Sequence, residues 1–234
     1  MLIKGLQKLS MIDYPGNACS VIFLFGCNFR CNFCHNPELI DSEKAKEVKT
    51  YTEEEILKHL NENLGFLDGV VITGGEPTLN EDLPEFIKKI YEIGLKVKLD
   101  SNGTNPDMLK DLLEKRYVDF LAMDIKACFE NYEKIVNSKV NLEAIKKSID
   151  IVKKFPNYEF RITIAPGITK EDIVKIGEYL KSKGANKILV LQQFRPDKCL
   201  DKSLEIYQKT SDNILEDFSN LAKVYFEKVI VRKE

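Results

Sequence analysis

A chain of 234 residues that is 44% hydrophobic and 31% charged can bury a core, which excludes a disordered or collagen-like polypeptide and fits one domain over residues 1–234. Its 35 Lys and Arg against 37 Asp and Glu give a formal net charge of -2, which argues against nucleic-acid binding, because that needs a basic surface to displace counterions. The longest apolar run near the start, 21–25, is too short to span a bilayer, and no charged-then-apolar signal segment precedes it; a soluble cytoplasmic protein is expected, with no membrane partner.

In chain order, the first predicted strand covers 18–25. A helix follows at 52–64, with Thr52 as N-cap and Glu55 three residues on, a capping box. A strand at 69–73 leads to a helix at 83–93 that stops before Gly94. A strand at 96–99 leads to a helix at 106–115 with Pro106 near its first turn. Strands at 118–125, 159–165 and 187–191 lead to helices at 141–154, 170–183 and 211–226. Residues 35–51 are charged and form the longest expected irregular connection, placed to cover a site. No Pro-, Gly- or Ser-rich linker, low-complexity stretch or repeat divides the chain.

Strand–helix alternation implies a parallel sheet with right-handed crossovers. A closed eight-unit barrel typically takes about 250 residues. Six units fit here, so the expected architecture is α/β, an incomplete (βα)6 TIM-like barrel with parallel strands.

Polar residues and glycines collect where each predicted strand ends. Gly26-Cys27 follows the first, and Thr73-Gly74-Gly75-Glu76-Pro77 the second. Asp100-Ser101-Asn102-Gly103 follows the third, and the fourth ends in Asp124-Ile125-Lys126. The fifth carries Arg161 and ends at Pro166-Gly167; the sixth runs into Gln192-Gln193-Phe194-Arg195. In parallel α/β folds the loops at these ends converge, and sites are built there.

Three of the six cysteines crowd into Cys27-Asn28-Phe29-Arg30-Cys31-Asn32-Phe33-Cys34. Thiolates this close suit soft metals and iron–sulfur clusters. Three ligands would leave one iron of a cubane open to substrate, as catalytic zinc keeps an open position. Two rivals stand beside this. Structural zinc wants four ligands, and His35, the nearest fourth donor, would strain a tetrahedral site because it adjoins Cys34. Cys31-Asn32-Phe33-Cys34-His35 also matches the pattern of c-type haem attachment, a chemistry that usually follows export. Cys19, Cys128 and Cys199 are scattered and are expected as buried small hydrophobes. His59, on a charged helix face, is expected at the surface, and Lys153-Lys154 as a solvated helix end.

The Cys-x-x-x-Cys-x-x-Cys spacing, with Phe33 before its last cysteine, resembles the signature of the radical S-adenosylmethionine superfamily. Within it, Cys34-His35-Asn36-Pro37 and Asp13-Tyr14-Pro15-Gly16 resemble the activating enzymes of glycyl-radical enzymes, such as those for anaerobic ribonucleoside-triphosphate reductase and pyruvate formate-lyase. The resemblance runs in order over roughly residues 2–200.

That resemblance implies a [4Fe-4S] cluster on Cys27, Cys31 and Cys34, with S-adenosyl-L-methionine on the open iron. Phe33 and His35 would flank it. Gly74, Gly75 and Glu76 would hold the amino group of the methionine moiety. Asp100, Ser101 and Asn102 would form a ribose, methionyl or cation-binding loop. Asp124 and Lys126 resemble the activases' D-L-K segment, and Arg161 the arginine near the nucleoside, where a bound carboxylate or ribose would be its partner. The family's histidine after the last strands is missing here, and Gln193 stands in its place. The implied reaction is reductive cleavage of S-adenosylmethionine, with hydrogen abstraction from a glycine of a glycyl-radical enzyme under anaerobic conditions. A low-potential donor such as ferredoxin or flavodoxin would supply the electron. The alternative is the same radical chemistry on a small molecule or modified nucleobase.

Overall fold

Eight strands form one continuous sheet in the order β1 to β8, in a computed structural model that describes residues 1–233. They are β1 (Ile3–Ser10), β2 (Cys19–Leu24), β3 (Gly69–Gly74), β4 (Lys96–Ser101), β5 (Phe120–Asp124), β6 (Asn157–Ile164), β7 (Ile188–Gln193) and β8 (Lys228–Arg232). β1 pairs antiparallel with β2, and β2 to β8 pair in parallel. Neighbours in sequence are neighbours in the sheet, and among the described residues no ladder joins β1 to β8.

The helices are α1 (Ser42–Glu47), α2 (Glu53–Glu62), α3 (Leu83–Glu92), α4 (Pro106–Lys115), α5 (Tyr132–Val136), α6 (Leu142–Val152), α7 (Lys170–Ser182) and α8 (Asp212–Ala222). Each starts for a local reason. At α2 the Thr52 hydroxyl accepts from Glu55 N at 3.1 Å, and the Glu55 carboxylate accepts from Thr52 N at 2.8 Å, the expected capping box. Thr169 and Asp172 repeat the device at α7. α3 buries Leu83, Phe86, Ile87 and Ile90, an i, i+3, i+4, i+7 stripe that seats it on the sheet. Burying each such side chain contributes about 1.5–3 kcal/mol.

The strands have two unlike faces. Ile22, Leu24, Ile72, Val97 and Leu99 point outward into the main apolar core beneath the helices. Alternate residues point inward and line a central lumen, among them Val21, Phe23, Asp100, Asp124, Arg161 and Gln192.

The six expected strand–helix units are present, β2 to β7 each leading to a helix. Two strands were not expected. β1 is half exposed and carries Lys4 and Lys8, so its alternation is blurred. β8 is a five-residue edge strand in the last residues of the chain. The 35–51 connection is not wholly irregular: it holds α1, capped by Asp41, whose carboxylate accepts from Glu43 N at 2.9 Å. Its Asn36 and Ile40 line the lumen, so part of the segment does border the site.

Candidate active site

The cysteine loop leaves β2 through Gly26, whose φ of 98° is a left-handed conformation open to glycine. Phe29 is buried in the core and anchors the loop. Arg30 wraps back, its Nη1 donating to the carbonyls of Cys27 at 2.7 Å and Phe29 at 2.8 Å. Cys34 N donates to the Cys31 carbonyl at 3.0 Å. This folding turns Cys27, Cys31 and Cys34 toward one cavity of about 280 Å³, the lumen, which Phe33 and His35 also line.

Burial pushes the Cys27 thiol up to about 12 and the Cys31 thiol up to about 11, and raises Cys34 as well. Lys126 opposes the shift at all three. The donor set fits a cluster: three soft ligands on one loop, open to one cavity. His35 does not serve as a fourth zinc ligand through Nε2, which lies 2.9 Å from the Arg195 carbonyl oxygen.

The β3 turn packs on the cysteine loop. Gly75 N donates to Leu24 O at 2.9 Å and Glu76 N to Gly26 O at 2.7 Å. A Cβ on Gly74 would lie 2.4 Å from Leu24 backbone atoms, and one on Gly75 would lie 2.0 Å from Gly26 O. Both glycines are therefore required by protein backbone, before any ligand is considered. Glu76 is only 1% exposed. Its Oε1 accepts from Thr78 N at 3.1 Å, from the Thr78 hydroxyl, and from Ser101 Oγ at 2.8 Å; its Oε2 accepts from Asn102 N at 2.6 Å. The carboxylate expected at the ligand's amino group is engaged by four protein donors and clamps the β3 turn to the β4 turn. Burial raises its pKa against those hydrogen bonds. Asn102 Nδ2 donates to Asn28 Oδ1 at 2.9 Å, which ties the β4 turn to the cysteine loop.

A chain of alternating charge crosses the lumen. Lys98 pairs with Asp100 Oδ1. Arg161 Nη1 donates to Asp100 Oδ2 at 2.9 Å, and its Nε to Asp124 Oδ1 at 2.7 Å. Lys126 Nζ donates to Asp124 Oδ2 at 2.9 Å and lies 5.9 Å from the centre of the Phe33 ring. The partners of Arg161 are thus two aspartates of the protein. Burial alone would raise Asp124, but Arg161 and Lys126 outweigh it and hold the carboxyl far below the usual range. Lys126 is likewise held charged, with Asp124 outweighing the effect of burial.

Gln193 Nε2 donates to the Thr210 carbonyl at 2.7 Å, while its buried Oε1 has no hydrogen-bond partner. Glu159 Oε1 is a second buried oxygen without one, 3.7 Å from Arg232 Nη2. The sequence does not single out Lys98, Glu159 or Arg232, and Gln192 stands there only as part of the polar end of the sixth strand. Strand alternation carries the signal for two of them: Lys98 stands two residues before Asp100, and Glu159 two before Arg161, each pair on one face.

Other expectations divide. Cys19, Cys128 and Cys199 are buried and free. His59 is not a bare surface residue: it is half-buried, with Nε2 3.1 Å from Ser20 Oγ and Nδ1 3.3 Å from Asn63 Nδ2. Lys153 is half-buried too, donating to Asp150 at 2.8 Å and to Lys183 O at 2.7 Å, while Lys154 is exposed. No described helix is long and apolar enough to cross a membrane.

The sequence model of the Radical SAM superfamily matches residues 21–180. A Methanocaldococcus jannaschii protein named as a glycyl-radical enzyme activating enzyme is 35% identical over 238 residues, covering 99% of this chain and 95% of that protein. The pyruvate formate-lyase-activating enzyme of Streptococcus mutans is 30% identical, over 77% of this chain and 72% of its own. The crystal structure of SuiB from Streptococcus suis bound to its precursor peptide superposes with a TM-score of 0.70 at 12% identity, over 92% of this chain. The chain spans 48% of that structure, and at this identity the likeness concerns the fold alone. A domain of pyruvate-formate lyase-activating enzyme from Bacteroides vulgatus superposes at 0.57 with 22% identity, over 70% of this chain and 98% of its own. With residues 21–180 inside the family and a relative matched along nearly its whole length, the chain belongs to the radical SAM superfamily, enzymes that work with a [4Fe-4S] cluster and S-adenosyl-L-methionine.

Proposed function

We propose that this enzyme, as a single domain over 1–234, activates a glycyl-radical enzyme under anaerobic conditions in the cytoplasm. The observation that carries the reading is the meeting of the three-cysteine loop and the Asp100–Arg161–Asp124–Lys126 chain in one lumen. The relatives named as activating enzymes support the choice of substrate class.

Cys27, Cys31 and Cys34 would hold the cluster. Bound there, the cluster would supply the electron for reductive cleavage of S-adenosylmethionine, the chemistry by which hydrogen would be taken from the partner's glycine. The remaining roles belong to the chain's own residues. Arg161 uses Nε and Nη1 on aspartates and keeps Nη2 for a ligand carboxylate. Lys126 uses one of its ammonium hydrogens on Asp124 and keeps others for the same carboxylate. Asp100 and Asp124 place negative charge where a sulfonium is to lie. Ser101 and Asn102 border the ribose. The Gln193 amide is oriented by Thr210, and its Oε1 is an acceptor for a donor of the nucleoside. Gly74, Gly75 and Glu76 hold the turn that seats the methionyl end, with Phe33 and His35 walling the other side. The buried, half-enclosed lumen keeps water from the radical.

The test is anaerobic mixing with a candidate partner, first anaerobic ribonucleoside-triphosphate reductase, in the presence of S-adenosylmethionine and reduced ferredoxin or flavodoxin. A glycyl radical seen by electron paramagnetic resonance, lost when the partner's glycine is replaced by alanine, is the expected result. Deuterium passing instead from a labelled nucleobase or metabolite into 5′-deoxyadenosine overturns the reading in favour of a small-molecule enzyme.

A further inference from the structure

A row of polar side chains crosses the lumen wall at its open edge. Thr163 of β6 stands in register with Gln192 of β7, and Gln192 with Arg232 of β8. All three line the lumen. The row ends at β8, the last strand of the sheet, where among the described residues no ladder closes the barrel. Gln192 and Arg232 are the members nearest that edge.

The protein leaves both of these side chains unused. Among the described residues neither the Gln192 amide nor the Arg232 guanidinium makes a hydrogen bond. Arg232 is nonetheless held in place. Its side chain is 20% exposed, and its Nη2 lies 3.7 Å from Oε1 of the buried Glu159. That separation is beyond a hydrogen bond, so the carboxylate fixes the guanidinium by charge and leaves its N–H donors free. Glu159 also balances the charge, so the pair offers directed hydrogen bonds rather than a net positive site. An uncharged carbonyl suits it better than an anion. The Gln192 amide carries a carbonyl and N–H donors in one plane, the complement of a peptide group.

A glycine has no side chain, so a site that grips a polypeptide at a glycine has only main chain to hold there. Side chains on neighbouring strands stand about 4.8 Å apart. Successive residues of an extended chain are about 3.8 Å apart. Gln192 and Arg232 can therefore reach the peptide groups on the two sides of one residue. We propose that they bind the main chain of the partner's glycine segment as it enters at the open edge: Arg232 donates to one peptide carbonyl, and the Gln192 amide pairs with the peptide group across the glycine. The proposal rests on the reading of the protein as the activator of a glycyl-radical enzyme.

The probe is a capped heptapeptide centred on the radical glycine of anaerobic ribonucleoside-triphosphate reductase. It is titrated by calorimetry into the cluster-loaded enzyme with S-adenosylmethionine bound. Gln192→Leu and Arg232→Met are each expected to lose roughly tenfold in affinity for the peptide and nothing in affinity for S-adenosylmethionine. Unmoved peptide affinity overturns the proposal. A parallel loss for S-adenosylmethionine also overturns it, since the row would then be part of the nucleoside's wall. Main-chain recognition is isolated with two further peptides, in which an ester oxygen replaces the glycine nitrogen or the nitrogen after it. Each ester removes one N–H and keeps every side chain. For one of the two, the penalty seen in wild type is expected to shrink in Gln192→Leu; equal penalties in both proteins for both esters overturn the role of Gln192. If Arg232→Met does not fold because Glu159 loses its cation, Gln192→Leu carries the comparison without touching a charge. If wild type does not bind the peptide, the choice of partner fails, and N-acetylglycine N-methylamide, two peptide groups about one glycine, judges the row instead. Its addition is expected to shift the Gln192 side-chain amide signal in NMR spectra of the loaded enzyme, assigned by its absence in Gln192→Leu. An unmoved signal overturns the proposal.

Discussion

Glu76 and Glu159 are equally buried, each 1% exposed; Glu76 lines the lumen, and Glu159 lies deeper on β6, two residues before the lining residue Arg161. Four protein donors surround the first. The second has an oxygen with no hydrogen bond and an arginine no nearer than 3.7 Å. Gln193, at the end of β7, leaves another acceptor unmet. The β3–β4 side of the barrel therefore completes its own polar network, and the β6–β8 side does not. A completed network rigidifies its surroundings, and here it holds the cysteine loop through Glu76, Asn102 and Asn28. An incomplete one is where a ligand or partner has something to offer. The difference separates a closed scaffold network from groups that still have an acceptor to offer.

The sharpest way to break the completed side is Gly75→Val. The branched side chain would have to share space with Gly26 O, 2.0 Å from where its Cβ must be. Backbone cannot yield as a flexible side chain can, so the cysteine loop moves. The expected outcome is a failure to assemble the cluster, measured as iron and sulfide per chain after anaerobic reconstitution. Full assembly with weakened S-adenosylmethionine binding would mean that the turn faces the ligand more than the loop.

Glu76→Leu comes next in size. It leaves donors on Thr78, Ser101 and Asn102 buried without an acceptor, at about 1–3 kcal/mol for each that finds no substitute. A loss of about 3 kcal/mol or more is expected in urea unfolding of the cluster-free chain. A loss below about 1 kcal/mol would show that water satisfies these donors and that the clamp is dispensable.

These effects also show what was readable in the sequence. The Thr52–Glu55 capping box, the six inner strands and the convergence of their ends follow from periodicity and turn chemistry, and all are observed. The cysteine spacing singled out the loop whose three thiols line the lumen. Lys98 and Glu159 were not read because a charged residue in a strand ordinarily signals a solvent-facing position. Each is buried beside an opposite charge: Lys98 meets Asp100 two residues along its own strand, and Arg232 of β8 reaches Glu159. Glu76 has a second role that its spacing does not show, as the clamp between two turns. Its neighbours Gly74 and Gly75 suggest room for a ligand, whereas Gly26 and Leu24 already fill it. β1 and β8 escaped because edge strands need bury only one side, which weakens the alternation that marks a strand.

The smallest expected effect is Glu159→Gln, and it sharpens the comparison most. An amide nearly matches the carboxylate in shape and removes one negative charge. Because Oε1 makes no hydrogen bond and Arg232 is 3.7 Å away and partly exposed, little is lost on that oxygen. The charge of this buried carboxylate also carries a desolvation cost, which the amide removes together with the long pair to Arg232. Glu76→Gln, by contrast, turns an amide N–H2 toward at least one donor that needs an acceptor, a mismatch expected to cost about 1–3 kcal/mol. Urea unfolding of the two cluster-free variants side by side therefore should give a small change at 159 and a clear loss at 76. Equal losses would show that Glu159 has partners as complete as those of Glu76. The β3–β4 and β6–β8 sides of the barrel would then be built alike.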